Sequence, residues 1–308
     1  MAPRINLAAC PPCGAPRGGV SWLWRGGAKV VVASAGQALA IATIVGGLLS
    51  GCPGGPSDED VSRSRAEYDL GVGLFGENNI AGAFQHLQEA VRLDPENIEA
   101  HMVLGTLHAL RGENELAERH LRTTIDTNER LGASGLPALT PDAFNTLGVL
   151  YINTHRLEDA VTALRTSTGD LMNRTPHLAW GNLGWAYYEM HHYPEALEAL
   201  GQAVRLQPQF CGAWYRIGQV RFAEGQAAGE AGGDAPALFS QADEALTHAL
   251  EVDRDECRAL QDAWLLRGET RARLGRREEA VADFERCVEL DANTEAGQAC
   301  AGFLSTGP

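Results

Sequence analysis

The sequence predicts an all-α protein in which six helix pairs stack into a solenoid and a short final helix closes the stack. From about Ser64 onward, a glycine and an alanine recur 12 residues apart in five of six successive segments. Segment 177–208 shows the pattern most fully, because apolar residues at helical spacing surround Gly184 and then Ala196 before Pro208. A glycine facing an alanine lets two helices cross closely, and proline ends a helix because it lacks the N–H that the interior requires.

The same pair of small residues defines each of the six segments between residues 64 and 294. The pairs are Gly71/Ala83, Gly105/Ala117, Gly148/Ala160, Gly184/Ala196, Gly218/Ala242 and Gly268/Ala280. Aromatic and aliphatic residues at helical spacing flank each pair, as expected for side chains that fill the space around a helix crossing. Each segment therefore predicts two antiparallel helices.

The spacing within a segment resembles the tetratricopeptide repeat. In the fourth segment the matching residues are Trp180, Leu183, Gly184 and Tyr187 in the first helix, and Ala196, Leu200, Ala203 and Pro208 in the second. The resemblance implies a right-handed superhelical solenoid whose first helices line the inner, concave side.

Two inserts and one substitution depart from the pattern. In the fifth repeat the glycine and alanine lie 24 residues apart, and the extra residues EGQAAGEAGGDAP predict a flexible turn between its helices. A second insert, ERLGASGLPALTP, separates the second and third repeats. Arg267 replaces the leucine or isoleucine that precedes the glycine elsewhere. Residues 295–308 predict a capping helix and tail, because a last repeat without a cap leaves an apolar face in water.

The N-terminal region has the organisation of an export signal. Residues 1–29 contain four basic and no acidic residues, and residues 30–50 are uncharged. A basic stretch, an apolar stretch and small residues are typical of a secretory signal, although the run is also long enough to span a membrane as a retained helix. Because this signal is long, Val20 or Val30 is an alternative start.

The residues after the apolar run indicate a lipid anchor. The sequence Leu49-Ser50-Gly51-Cys52 resembles the lipobox of bacterial lipoproteins. The resemblance implies that residues 1–51 are removed as a signal peptide and that Cys52, acylated, becomes the first residue of the mature chain. Residues 52–63, rich in Pro, Gly, Ser and charge, predict a flexible tether between the lipid and the solenoid.

The cysteines after the anchor predict two disulfides. Four remain once Cys52 and the pair in the signal region, Cys10 and Cys13, are set aside, and an even number in an exported chain suggests disulfides. We expect Cys211–Cys257, because these residues flank the helical hairpin of the fifth repeat. We also expect Cys287–Cys300, because the capping helix should pack on the last helix of the sixth repeat.

Composition and motifs argue against nucleic-acid binding and against catalysis. The formal net charge is −15, and removal of the four basic residues in the N-terminal 29 brings it to −19, so no basic surface is available to replace phosphate counterions. No nucleophile motif or phosphate-binding loop occurs. His191 and His192, near Glu189, fall in the turn of the fourth repeat, where we expect solvated side chains rather than a metal site. The sequence therefore predicts a protein that is not an enzyme, with no cofactor, metal or small-molecule substrate.

A protein-binding groove is the remaining prediction. Spacing from the glycines directs ten residues toward the concave side, namely Tyr68, Phe75, Met102, Asn145, Val149, Ile152, Trp185, Tyr188, Tyr215 and Phe222. Such a groove suits an extended or helical peptide; alternatively, some of these side chains only pack against the next repeat. Positions where some tetratricopeptide domains grip a C-terminal carboxylate hold residues such as Asp69, Glu99, Asp142 and Asp262, so we expect an apolar or basic peptide.

A lipobox cysteine, a short tether and six repeats together resemble the pilotin lipoproteins of type IV pilus biogenesis, the PilF/PilW/Tgl group. The resemblance implies an outer-membrane lipoprotein facing the periplasm, which binds secretin subunits and promotes assembly of the pilus pore, supporting twitching or gliding motility. The alternatives are a lipoprotein scaffold for cell-wall synthases or hydrolases, and a soluble enzyme subunit if the anchor is wrong.

Overall fold

A computed structural model describes residues 55–252 and 254–306, which form fourteen α-helices and no strand within those ranges. The helices are α1 (Asp58–Gly76), α2 (Ile80–Leu93), α3 (Ile98–Leu110), α4 (Asn114–Leu131), α5 (Leu139–Asn153), α6 (Leu157–Gly169), α7 (Pro176–Glu189), α8 (Tyr193–Leu206), α9 (Cys211–Glu230), α10 (Ala235–Glu251), α11 (Asp255–Arg258), α12 (Gln261–Arg273), α13 (Arg277–Leu290) and α14 (Glu295–Thr306). A 3₁₀ turn, Gly132–Ser134, follows α4.

The fold class predicted from the sequence is confirmed. Each repeat is one pair of consecutive helices, from α1–α2 to α9–α10 and then α12–α13 after the short α11. Every pair packs against the next, and α14 packs against α13 and α12 at the end of the stack. The described helices therefore form a solenoid of six helix pairs with a final capping helix.

The glycine of each repeat lies where its two helices cross. A Cβ atom at Gly184 would lie 2.5 Å from Leu200 Cγ and 3.1 Å from the carbonyl oxygen of Ala196. A real side chain does not fit at such distances, so the close approach of α7 and α8 requires glycine. The six alanines on the opposing helices are fully buried, as the pattern predicted: Ala83, Ala117, Ala160, Ala196, Ala242 and Ala280.

The turns between paired helices explain where the histidines of the fourth repeat lie. His191 has a left-handed backbone with a φ of 59°, as do Asn78 and His155 at the same point of their repeats. His191 is exposed, and its Nδ1 lies 3.1 Å from the Tyr193 hydroxyl. His191 and His192 therefore lie in a solvated turn, where both are exposed. Across the described residues, no three His, Cys, Asp or Glu side chains are arranged to hold a metal ion.

The solenoid begins earlier than the sequence predicted. Helix α1 starts at Asp58, whereas the flexible tether was expected to reach residue 63. Ser57 and Asp60 form a reciprocal cap: Ser57 Oγ accepts from the Asp60 amide at 3.1 Å, and Asp60 Oδ2 accepts from the Ser57 amide at 3.3 Å. Ser64 is fully buried and donates to the carbonyl oxygen of Ala90 at 2.8 Å. The predicted tether therefore overlaps α1 from Asp58 onward.

The insert of the fifth repeat does not form the expected flexible loop. Helix α9 continues to Glu230 and α10 begins at Ala235, so only four residues, 231–234, separate the two helices. Alanine and glutamate favour helix, which offsets the glycines of the insert. Phe222 and Phe239 pack with their ring centroids 5.5 Å apart, so the extended helices remain in contact. The insert therefore lengthens the helices of this repeat, to 20 residues in α9 and 17 in α10.

The anchor prediction is outside the described residues. Cys52, Cys10, Cys13 and the signal region of residues 1–51 all precede the first described residue. Within the described helices, none is both long enough and apolar enough to cross a membrane.

Candidate protein-binding face

The ten residues predicted to line a groove all lie on the first helices of repeats one to five, on one side that we call the inner face. Five are partly buried: Tyr68, Phe75, Met102, Asn145 and Tyr188. Five are buried: Val149, Ile152, Trp185, Tyr215 and Phe222. The side chains of the second set are therefore covered rather than exposed on an open groove, and the binding groove itself stays a prediction.

The inner face is open and apolar in the first repeat. Tyr68 and Phe75 are partly exposed and pack on the apolar cluster that α1, α2 and α3 share. Val72 lies between them in sequence and is exposed. Burial raises the pKa of the Tyr68 hydroxyl, with a further increase from the carboxylates of Glu99 and Asp69. This end of the inner face offers apolar surface bordered by acidic groups.

The inner face is filled in the fourth and fifth repeats. Trp185 and Tyr215, which the sequence predicted to line the groove, are only 3% and 4% exposed. The guanidinium of Arg216 covers both, at 4.7 Å from the Trp185 ring centroid and 5.7 Å from that of Tyr215. The Trp185 indole N–H donates to Glu189 Oε1 at 3.0 Å, which fixes the ring. Helical spacing gives the direction of a side chain, but not whether a residue of the next repeat covers it.

The sequence did not predict the buried polar residues Arg216 and Asn182. Arg216 is 4% exposed and donates to Gln219 Oε1 at 2.8 Å, while its Nε has no hydrogen-bond partner. Asn182 is also buried, donates to Asn145 Oδ1 at 2.9 Å and leaves its own Oδ1 without a partner. Their one sequence signal is that Asn182 and Arg216 each stand two residues before the repeat glycine, and both side chains contact the preceding repeat.

Burial shifts the pKa of several side chains on this face toward their neutral forms. It lowers the pKa of the Arg216 guanidinium, and it raises the pKa of the Tyr215 hydroxyl. It also raises the pKa of the Asp262 and Asp142 carboxyls, whose increases Arg216 and Arg174 respectively oppose. Two of the acidic positions that argued against a carboxylate clamp, Asp142 and Asp262, therefore have a raised pKa because they are buried.

Both predicted disulfides are present at the C-terminal end. Cys211 at the start of α9 is bonded to Cys257 in α11, with Cα atoms 5.7 Å apart. Cys287 in α13 is bonded to Cys300 in α14, with Cα atoms 6.3 Å apart. The first disulfide closes the fifth repeat and the second attaches the cap.

An ion-pair network explains the arginine that departs from the repeat pattern. Arg267 NH2 lies 2.6 Å from Asp283 Oδ1, and both side chains are buried. Arg271 bridges Asp283 at 2.9 Å and Asp243 at 2.8 Å, and Arg276 reaches Asp243 at 2.9 Å. The network joins α10, α12 and α13, so its charges are paired in a place that is apolar in the other repeats.

A histidine cluster in the second repeat was not predicted. Nδ1 of His101 and Nδ1 of His120 are 2.8 Å apart, and the rings of His108 and His120 stack with centroids 5.3 Å apart. His108 Nδ1 also lies 2.5 Å from Glu113 Oε2. Burial lowers the pKa of His120 to about 4, helped by the neighbouring histidines and Arg119, and burial also lowers that of His101. The cluster joins α3 and α4, and burial favours the neutral imidazoles of His101 and His120.

Comparisons with known proteins agree with the repeat architecture. Family models described as tetratricopeptide repeat match residues 74–130, 177–210 and 261–294. Superkiller protein 3 of Schizosaccharomyces pombe is 29% identical over 165 residues, which are 51% of this chain and 11% of that protein. The chain thus spans about a tenth of the length of this curated relative.

Three solved structures are similar in fold. PilF of Pseudomonas aeruginosa matches with a TM-score of 0.62 and 17% identity, over 81% of this chain and all of that chain. PilW, described as a widely conserved type IV pilus biogenesis factor, has a TM-score of 0.59 and 19% identity, over 77% of this chain and 98% of that chain. A chain of the APC/C hetero-tetramer Cut9–Hcn1 has a TM-score of 0.61 and 13% identity, over 80% of this chain and 43% of that chain. At these identities the likeness shows the fold alone, a solenoid of helix pairs, and the family matches show tetratricopeptide repeats at residues 74–130, 177–210 and 261–294.

Proposed function

We propose that this chain is a pilotin of type IV pilus biogenesis: an outer-membrane lipoprotein, facing the periplasm, that binds secretin subunits and promotes their assembly into the pilus pore. The observation that carries the proposal is the extent of the structural match, which includes all of the PilF chain and 98% of the PilW chain. The Cut9–Hcn1 structure contributes nothing to this choice, because the match includes only 43% of that chain.

The lipid anchor is the second part of the proposal. Its support is the lipobox-like sequence that ends at Cys52 and the start of α1 only six residues later, at Asp58. Five linking residues extend at most about 18 Å, so a lipid on Cys52 keeps the first repeat close to the membrane. A secretin subunit bound there is brought to the surface where the pore assembles, which raises its effective concentration without any chemical step.

The open apolar part of the inner face is the place we assign to the secretin segment. Tyr68 and Phe75 are partly exposed there, and Val72 is exposed between them. Trp185 and Tyr215 are buried, so we do not assign them to the first contact with the secretin segment. An apolar segment covered by the first repeat is protected from aggregation until other secretin subunits replace the contact.

The test combines gene deletion with two matched variants. Deletion should abolish the heat-resistant secretin multimers, and a Tyr68→Glu and Phe75→Glu double variant should reduce them strongly while keeping helix content and membrane fractionation. The control is Leu171→Glu, which places the same charge at a side chain that is 99% exposed in the loop between α6 and α7.

Two results would reject the proposal. One is normal multimer formation in the deletion strain. The other is recovery of cell-wall synthases or hydrolases rather than secretin when the wild-type protein is isolated from detergent extract, since that result supports the scaffold alternative. A Cys52→Ala variant that fractionates with the outer membrane as the wild type does would reject the anchor separately.

A further inference from the structure

The second helices of repeats two and three leave an open cleft between them. We call it the outer cleft: α4 and α6 form its walls, α5 forms its floor, and its volume is about 480 Å³. Phe144, Leu147 and Tyr151 of α5 line it, whereas Asn145 and Val149 of the same helix lie on the inner face. Residues one or two positions apart point to different sides of a helix, so the outer cleft is separate from the inner face.

The floor of the outer cleft is apolar. Ile125 of α4, Leu147 of α5 and Ala163 of α6 are buried side chains that line it, and Phe144 is partly buried beside them. An apolar side chain from outside would displace water from this surface, which is favourable. The volume is within the range of about 300–1,000 Å³ that is typical of ligand sites.

A small residue keeps the outer cleft open. Three of its lining positions, counted from the repeat glycine and the repeat alanine, hold histidines in the second repeat. The corresponding pairs are Phe144/His101, Tyr151/His108 and Ala163/His120. In the second repeat the ring of His120 stacks on that of His108, with centroids 5.3 Å apart. The single methyl group of Ala163 fills less space at the corresponding place, so room for a side chain from outside remains there.

Charges are already paired at one end of the outer cleft. One carboxylate oxygen of Glu118 lies 2.7 Å from the Arg122 guanidinium, and the other lies 2.8 Å from that of Arg156. Arg156 also pairs with Asp159 at 2.7 Å, and its guanidinium stacks on the Tyr151 ring at 4.2 Å from the centroid. These four charged groups therefore satisfy one another.

The other end of the outer cleft carries unpaired negative charge. Asp126 and Glu129, further along α4, line this end and are exposed. Residues three apart on a helix are neighbours on its surface, so the two carboxylates lie side by side. Among the described residues, neither carboxylate takes part in a hydrogen bond or an ion pair. The outer cleft thus combines an apolar floor with free acidic groups at one end.

We propose that the outer cleft docks a helix of a partner protein, whose apolar side chains cover the floor while an arginine or lysine one turn away pairs with Asp126 and Glu129. Charge complementarity decides for a basic partner, because an acidic helix would be repelled and a neutral one would leave both carboxylates unpaired. The inference goes beyond the proposed function, since it adds a docking site that neither uses nor blocks the inner face.

The walls of the outer cleft favour a helix over an extended chain. Both walls are helices, whose main-chain N–H and C=O groups bond one another, so they offer no strand edge to an extended main chain. A partner helix satisfies its own main chain and needs only side-chain contacts. The stretch of α4 from Arg122 to Glu129 rises about 10 Å, which matches about two turns of a partner helix.

The test selects helices without assuming the partner's sequence. The probe is a phage-displayed library of an alanine-rich helix of about 20 residues, in which the positions of one face are randomised. The target is the full chain in micelles of an uncharged detergent, and phage that bind empty micelles are removed first. We expect the selected helices to carry apolar residues over about two turns and an arginine or lysine one turn further.

Two variants then locate the binding of the strongest selected helix, synthesised with a dye and measured by fluorescence anisotropy. Asp126→Asn combined with Glu129→Gln should lower its affinity about tenfold, because both ion pairs are lost. The same variant should remove most of the weakening that added salt causes in the wild type. Ala163→Leu should lower affinity by about tenfold or more, because the larger side chain fills the floor.

The matched control is Glu195→Gln combined with Glu198→Gln. It removes the same charge from two exposed carboxylates one turn apart on α8. This control should leave the affinity for the selected helix unchanged. The Tyr68→Glu and Phe75→Glu double variant should also leave it unchanged, because those residues lie on the inner face.

Each of four outcomes would overturn the inference. They are the absence of any selected helix, selected helices without basic residues, unchanged affinity in the Asp126 and Glu129 variant, and an equal loss in the Glu195 and Glu198 control. If Ala163→Leu does not fold, the exposed carboxylates still decide the question, since their replacement disturbs no buried contact. The pilus proposal depends separately on the secretin multimers.

Discussion

Repeats two to four and repeats five and six hold their helices together by different means. A single cluster of buried apolar side chains continues from α4 to α9. Beyond it, the buried apolar residues of the last two repeats divide into three smaller clusters, around Cys211, Cys287 and Phe239. The two disulfides and the Arg267–Asp283 network lie in the same region. Covalent and ionic links therefore occur where the apolar core is least continuous.

Repeats with the same backbone fold can therefore be held together by different kinds of interaction. A buried ion pair is seldom better than apolar packing for net stability, because both charges must be desolvated. We therefore interpret the network as fixing how α10, α12 and α13 sit against one another. The disulfides supply the stabilisation that the divided core lacks.

Breaking the ion-pair network should have the largest effect. Asp283→Ala leaves Arg267 and Arg271 without their shared carboxylate, and removal of one partner of a buried pair costs about 3–5 kcal/mol. Hydrogen exchange should become faster in α12–α14 and stay unchanged in α5–α8. Asp159→Ala is the control, since its pair with Arg156 is exposed and such pairs contribute about 0–1 kcal/mol. Equal effects of the two variants would contradict the comparison.

Removing the disulfides should have the next largest effects, in a fixed order. The Cys211–Cys257 bond closes 46 residues and the Cys287–Cys300 bond closes 13. In the chain-entropy description the paired serine variants lose about 4 and about 3 kcal/mol, respectively. Local unfolding measured by hydrogen exchange should be confined to repeats five and six. If the second repeat opens as readily as the fifth, the division into two regions is wrong.

Acidification should change the unfolding free energy least. It should lower the stability of the second repeat and raise that of the sixth. The pKa of His120 is lowered from 6.5 to about 4, so the unfolded second repeat binds more protons than the folded one between those values. Its unfolding free energy should therefore fall as pH decreases from about 6.5 to about 4. Burial raises the pKa of Asp262 and Glu269, so those carboxyls contribute stability that increases on acidification.

Exchange protection at pH 7 and pH 4.5 measures both changes. The second repeat should lose protection at pH 4.5, and His120→Gln should remove part of that loss. A second repeat with equal protection at the two pH values would refute the role of the histidine cluster.

Sequence reasoning predicted the helix pairs and disulfides because both depend on local, periodic constraints. Gly184 against Leu200 and Cys211 beside Cys257 follow from the spacing of one repeat. The burial of Trp185 did not follow, because it depends on how far Arg216 of the next repeat reaches across. The histidine cluster was missed for a related reason, since His101 and His120 belong to different helices and neither occupies a repeat position with a required residue.

The start of α1 has a consequence for how the proposed lipoprotein would stand on its membrane. The first turn of α1 carries Asp58, Glu59 and Asp60, and the linker to Cys52 is five residues long. If Cys52 bears the lipid, these three carboxylates lie within about two Debye lengths of the headgroups at physiological salt, and anionic phosphates repel them. The solenoid would then be tilted away from the surface, with its first repeat nearest the lipid and its disulfide-linked end farthest into the periplasm.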